Sequence, residues 1–196
     1  MKLQVIVGST RPNRVTDRVA RWVAAEARKL SDTSVEIVDL RDYNLPFFDE
    51  AISPQYNPQR QPNEAAIKWL DKLAKADDYV LVTPEYNRSY PAVLKNALDY
   101  VAFQMAKKPV AFAAHGSTGG AQAVAHLRGV LPGLQAVTVP SATFLTDRAS
   151  EAMDEAGNLN EELKAKPYGP QTVLKNMLEA TKWYSDALAA ARATNP

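Results

Sequence analysis

Apolar residues along the chain fall into short continuous runs that alternate with stretches of helical period. The run at 3–7 reads as a strand and ends in Gly8-Ser9-Thr10-Arg11-Pro12-Asn13-Arg14. From 15 to 30 the period lengthens to that of a helix, with Val15, Val19, Trp22, Val23, Ala27 and Leu30 on one face. A second strand is predicted over 35–40. Residues 41–62 follow as a long loop broken by Pro46, Pro54, Pro58 and Pro62, and a loop of that length in a compact domain is usually functional. A helix over 65–74 carries Ile67, Leu70 and Leu73 on or near one face. The stretch 79–99 then reads strand, polar loop, helix: an apolar run at 79–82 stopped by Thr83-Pro84, a loop Glu85-Tyr86-Asn87-Arg88, and a helix from Pro91 to Phe103 capped by Ser89. A fourth strand (110–114) ends in His115-Gly116-Ser117-Thr118-Gly119-Gly120 before a helix over 121–130. A fifth strand is predicted over 134–139, an irregular excursion over 140–170, and a last helix over 171–191 with Val173, Leu174, Met177, Leu178, Thr181 and Leu188 inward.

Five short strands alternating with five helices predict an α/β fold, a parallel sheet covered on both faces with right-handed crossovers. For five strands the expected arrangement is a flavodoxin-like three-layer sandwich of order 2-1-3-4-5. Its switch point lies between the first and third strands. The loops after those strands, GSTRPNR and TPEYNRS, are among the most polar in the chain, and HGSTGG follows the fourth strand beside them. Three polar loops therefore converge on one sheet edge, where open α/β sheets bind ligands.

The totals narrow the ligand. At 196 residues and 46% apolar content the chain is expected to form one domain over 1–196 with a substantial core. A net charge of +1 lacks the electrostatic footprint of a nucleic-acid binder. No cysteine means no disulfide, thiol nucleophile or thiolate metal site. The apolar run in MKLQVIVG is too short for a signal peptide, and no run approaches a membrane span, so a soluble cytoplasmic protein is expected.

Ser9, Thr10 and Arg11 offer two hydroxyls and a guanidinium at a helix start, a donor set suited to a phosphate monoester. A Ser/Thr-capped turn with a solvated Arg is the plainer reading. Neither a Walker loop nor GxGxxG is present. His115 is read either as a satisfied structural residue or as an acid–base group, the former being commoner for a lone His at a strand end. Gly116, Ser117, Gly119 and Gly120 form a loop whose backbone can approach a flat ligand closely. His126 reads as a surface or interface residue. Trp22, Trp69 and Trp183 read as core or core-edge residues on helices, and Phe47-Phe48 as a loop anchor, a partner contact or a pocket wall. No metal-ligand spacing and no Gly-x-Ser-x-Gly elbow occurs, which moves the hard chemistry onto a cofactor.

Gly8-Ser-Thr-Arg11, Leu45-Pro46-Phe47-Phe48, Thr83-Pro-Glu-Tyr-Asn87, Ser89-x-Pro91, Leu94-Lys-Asn-Ala97-x-Asp99 and Ser117-x-Gly-Gly120 occur in one order. Over residues 3–145 the chain thereby resembles the NAD(P)H-dependent FMN reductase family, which includes quinone, azo and chromate reductases. The resemblance implies non-covalent FMN, with its phosphate on Ser9, Thr10 and Arg11 and at residues 14–16 (Arg14, Val15, Thr16), and with Asp17 opposing it if turned inward. It implies that Pro84, Glu85, Tyr86 and Asn87 line the isoalloxazine and that residues 115–120 close its pyrimidine side. NADPH or NADH is the implied co-substrate, and a quinone, azo compound, metal oxyanion or free flavin the small-molecule acceptor. A homodimer or tetramer through the 91–103 helix is implied as well, with no nucleic-acid or membrane partner. No side chain is assigned as a catalytic acid. The alternative is a non-enzymatic FMN electron carrier of flavodoxin type, which the near-neutral charge disfavours because such carriers are acidic and dock by charge.

Overall fold

The computed structural model describes residues 1–57, 59–146 and 148–194. Pro58, read above as a loop breaker, and Asp147, within the 140–170 excursion, lie outside the described residues. Five strands, β1 (Lys2–Val7), β2 (Ser34–Asp39), β3 (Asp78–Pro84), β4 (Pro109–His115) and β5 (Val137–Leu145), pair in parallel in the order β2-β1-β3-β4-β5. This is the order expected from the alternation of elements. The central strands are buried on both faces, so they read as continuous apolar runs.

Side chains of β3 alternate between two cores. Tyr79 and Leu81 join Trp69 and Leu73 of α2 (Glu64–Ala74), Leu94 and Leu98 of α3 (Ala92–Asp99) and Leu127 of α4 (Ala121–Val130). Val80 and Val82 join Val19 and Val23 of α1 (Thr16–Ala27) and Leu174 and Met177 of α7 (Pro170–Thr194). Trp69 is fully buried and satisfies its indole N–H on the Ala97 carbonyl at 2.9 Å. Trp22 is buried too, its N–H on Gln171.

Several boundaries differ from expectation. β5 does not occupy 134–139: residues 131–134 form a 3₁₀ turn, and the strand runs on through Pro140 to Leu145. The pairing of β4 with β5 shifts register between Val110 and Phe112, and Pro140 falls in that irregularity of an edge strand, where a missing N–H is tolerated. The 140–170 stretch is accordingly not an irregular excursion. After β5 it forms α5 (Ala149–Ala152) and α6 (Glu161–Ala165), and Ala152, Met153, Leu159 and Leu163 pack into the α1/α7 core. The third helix stops at Asp99 instead of reaching Phe103, because Tyr100 turns into the core and its carbonyl accepts from Arg60 at 2.7 Å. Pro91, not Ser89, is its cap residue. Lys95 and Asp99 pair within that helix. Ile67 and Trp183 are 45% and 66% exposed, since the buried stripes run through Ala66-Trp69-Leu70-Leu73 and Leu174-Met177-Leu178-Thr181.

Asn96 secures the start of the long loop after β2: its amide donates to the Pro46 carbonyl and accepts from the Phe48 N–H. Phe48 meets Tyr100 edge-on, whereas Phe47 is 83% exposed. Phe48 is thus the loop anchor.

Gly8 lies against β3, its N–H bonded to the Val82 carbonyl at 2.8 Å. A Cβ at Gly8 would sit 2.8 Å from that oxygen and 3.0 Å from Leu94 Cδ2. Gly8→Ala is therefore expected to destabilise the fold by about 1–3 kcal/mol. Urea denaturation checks this, and an unchanged midpoint contradicts it.

At the opposite end of β3, Asp78 is fully buried and neither carboxyl oxygen has a hydrogen-bond partner. Burial first, then the charges of Asp77 and Asp186 against those of the N-terminus and Arg192, pushes it up to about 8. An unfolded Asp titrates near ~3.9. Between those values the folded state keeps a proton that the unfolded state has lost. The stability this confers is full below ~4 and falls as pH rises, by up to about 1.4 kcal/mol per unit, levelling above 8. Thermal melts from pH 5 to 9 should show wild-type Tm falling relative to Asp78→Asn; parallel curves would refute the assignment.

Candidate functional site

The loop after β1 crosses the C-terminal edge of the sheet before entering α1. Ser9 is fully buried, and its Oγ lies 2.9 Å from the Tyr86 hydroxyl, tying this loop to the one after β3. Arg11 is exposed, with its guanidinium carbon 5.8 Å from the Tyr86 ring centroid.

Arg14 points inward, its side chain only 4% exposed. It donates to the Ser9 carbonyl and, through both terminal nitrogens, to the Asp39 carboxylate at the end of β2. Arg41 completes the brace: its backbone N–H reaches Asp39 at 2.9 Å and its guanidinium donates to the Thr10 and Arg11 carbonyls. Burial pushes the Asp39 carboxyl up, but Arg14 and Arg41 more than offset this and hold it below its ordinary value. The guanidinium groups of Arg11, Arg14 and Arg41 against the single carboxylate of Asp39 leave the loop net positive. Asp17, which would oppose an anion if it faced inward, pairs instead with Arg21 at 3.3 Å.

Helix α1 begins at Thr16 after Val15, which supplies no side-chain cap. Its first-turn N–H groups thus have no hydroxyl or carboxylate from the cap position, which suits an incoming anion. Thr16 itself is buried, and its hydroxyl lies 3.0 Å from Nε2 of His115, the last residue of β4. Burial pushes His115 down to about 4, so the ring is neutral near pH 7.

The loop after β3 makes a two-residue turn. Tyr86 and Ser89 exchange backbone hydrogen bonds of 2.8 and 3.0 Å around Asn87 and Arg88, both at positive φ (49° and 66°). Ser89 then accepts or donates across to His126 Nδ1 at 3.0 Å, on the exposed face of α4. The Glu85 carboxylate turns towards the next loop, accepting from the Thr118 hydroxyl and the Gln122 N–H at the start of α4. In that loop Gly119 and Gly120 have φ of 73° and 85°, and a Cβ at Gly120 would meet the Ala114 Cβ at 2.6 Å.

These loops enclose a cleft of about 320 Å³, lined by residues 11–16 on one side and Pro84, Tyr86 and His115 on the other. Of the residues expected from sequence, Arg11, Arg14, Val15, Thr16, Pro84, Tyr86 and His115 come together here. Ser9 is not among the lining residues; it is buried with its hydroxyl on that of Tyr86. Thr10 lines a neighbouring cleft with Arg41, Asn44, Leu45 and Val93. Gly116, Ser117, Gly119, Gly120, Glu85 and Asn87 are not among the residues lining the first cleft. Pro12 and Asn13 line the cleft as well, and Asp39 and Arg41 form the brace, though none of the four is singled out by the sequence motifs. A polar residue ending the second strand was the available signal, since Asp39 sits beside Val7 in the sheet register.

Similarity to known proteins agrees with this geometry. Residues 1–151 match the family model described as NADPH-dependent FMN reductase. An NAD(P)H-dependent FMN reductase of Schizosaccharomyces pombe is 36% identical over 150 residues, 75% of each chain. A 2-hydroxy-1,4-benzoquinone reductase of Burkholderia is 32% identical over 166 residues, 81% of this chain and 85% of that one. An FMN-dependent NADPH-azoreductase of Staphylococcus aureus is 33% identical over 183 residues, 88% of this chain and 94% of that one. Among solved structures, the flavoenzyme FerB of Paracoccus denitrificans shares the fold, with a TM-score of 0.73 at 23% identity over 94% of this chain and 97% of that one. A polar, net-positive cleft at the switch point of a flavodoxin-like sheet, together with these matches, places the chain in the NADPH-dependent FMN reductase family of oxidoreductases.

Proposed function

We propose that residues 1–196 act as one FMN-binding domain that oxidises NADPH or NADH and reduces a small acceptor, such as a quinone, an azo compound, a metal oxyanion or free flavin. The observation that carries this reading is the cleft itself: an uncapped helix start, an exposed arginine and a buried threonine hydroxyl meet beside a wall of Pro84, Tyr86 and His115. The donor set fits a phosphate monoester, and the left-handed glycines at 119 and 120 keep side chains out of the adjoining loop, where a flat ring needs room. Bound FMN would supply the two-electron chemistry, taking a hydride from the nicotinamide at its N5 and handing electrons to the acceptor. The protein's contribution is binding and orientation. Arg11 and Thr16 would hold the phosphate, and Pro84 and Tyr86 would wall the ring. Glu85 fastens the loop that carries the glycines to the loop after β3. Arg14 braces the loop from below and adds its charge to the field at the helix start.

His115 is not assigned as a catalytic acid, since it is buried and bonded to Thr16. Among the described residues no helix is long and apolar enough to cross a membrane. A cytoplasmic location and self-association over the surface of α3 and the exposed Phe103 complete the reading.

The test is a visible spectrum of the purified protein, expected to show flavin bands, followed by NADPH and NADH oxidation against a panel of these acceptors. A colourless protein that takes up no added FMN removes the proposal. Arg11→Ala should weaken FMN binding roughly 10–100-fold, the ~1.5–3 kcal/mol of a charge-assisted hydrogen bond, by fluorescence titration. Light scattering should give a dimer or tetramer; a clean monomer at micromolar concentration eliminates the self-association.

A further inference from the structure

Thr16 and His115 stand 99 residues apart in sequence, yet their side chains meet inside the cleft. Thr16 is the first residue of α1 and 1% exposed; His115 ends β4 and is 6% exposed. The contact of 3.0 Å joins Thr16 Oγ1 to His115 Nε2. The backbone of His115 is held independently of this contact: it stands opposite Pro84 and Leu145 in the sheet register, and its carbonyl accepts from the Glu85 N–H at 3.1 Å.

A neutral imidazole carries one N–H, and its position decides what Thr16 can do. With the proton on Nδ1, Nε2 accepts the threonine proton and the hydroxyl has only lone pairs left to face the cleft. Those would repel an anion at the helix start. With the proton on Nε2, His115 donates to Oγ1, and the hydroxyl proton is free to point towards an anion. The result is a short relay, Nε2–H to Oγ–H to phosphate oxygen, in which each bond polarises the next. An anion at the α1 N-terminus, beside Arg11, favours the second arrangement, because it needs the donor that only this tautomer leaves free.

We propose that His115 is a positioning residue for the cofactor phosphate: with a phosphate monoester bound, its Nε2–H holds the Thr16 hydroxyl as a donor to the phosphate oxygens. This rests on the FMN reading above. The depressed basicity of the buried ring is consistent with a neutral donor. The arrangement also gives His115 a role distinct from flavin-ring contact, because its ring is engaged at the phosphate end of the cleft.

Riboflavin, which lacks the phosphate, separates positioning from general damage to the site. Flavin-free protein is titrated with FMN and with riboflavin, following flavin fluorescence. Thr16→Val and His115→Leu are each expected to weaken FMN by about 10-fold and leave riboflavin unchanged. The double variant should be no weaker than either single one, while Thr16→Ser and His115→Gln, which keep a donor in place, should retain most of the preference for FMN. Equal losses for both flavins, a wild-type FMN-to-riboflavin ratio in His115→Leu, or additive losses in the double variant overturn the proposal. If His115→Leu does not fold, ¹⁵N imidazole spectra of the wild-type protein with FMN decide: the proton must reside on Nε2, and a ring protonated on Nδ1 alone refutes the relay. Binding of neither flavin by wild-type protein overturns the FMN reading and this inference together, whereas FMN binding with an unmoved preference in the variants overturns this inference alone.

Discussion

Where β1 ends, the chain must leave the sheet without losing contact with β3. The hydrogen bond from the Gly8 N–H to the Val82 carbonyl makes this possible, since any side chain at position 8 would collide with that oxygen or with Leu94. Because the loop stays low against β3 at this point, Ser9 reaches the Tyr86 hydroxyl and the start of α1 comes level with the end of β4. The cleft is a consequence of this one close approach at the place where the strand order reverses.

Charge then fixes what backbone geometry has placed. Arg14 and Arg41 converge on Asp39 from different elements, and both also bind carbonyls of the loop. The carbonyls are thereby engaged on the β2 side, while no side chain caps the N–H end of α1. A loop braced by its carbonyls against a cationic cluster is preorganised for an anion, because the donors need no rearrangement when one arrives. Glu85 does the same for the neighbouring loop, joining the residues after β3 to the start of α4.

The pieces differ in how plainly they could be read. The strand order followed from five apolar runs separated by helical periods, because a parallel sheet buried on both faces has few other solutions. Ser9, Arg11, Pro84 and Tyr86 were legible as polar or turn residues at strand ends. Asp39 was not, because its importance comes from standing beside Val7 in the sheet, a neighbour 32 residues away in sequence. Glu85 was legible as a site residue but not as a clasp, since only the approach of Thr118 and Gln122 shows where its carboxylate turns. The fifth strand was misplaced for a related reason: Pro140 looks like a terminator in isolation and is tolerated once it lies in an irregular stretch of an edge strand.

The α/β class, the sheet order and the three converging loops were readable from local periodicity and from turn chemistry within a few residues, and the family resemblance from short motifs occurring in one order. Only packing settled that Arg14 faces Asp39, that Thr16 meets His115, that Phe48 packs on Tyr100 while Phe47 is exposed, and that Asp78 lies buried without a partner. Each of these depends on which side of an element a residue presents and what a distant segment brings against it. Burial and pairing are properties of packed neighbours, and one-dimensional spacing does not specify them.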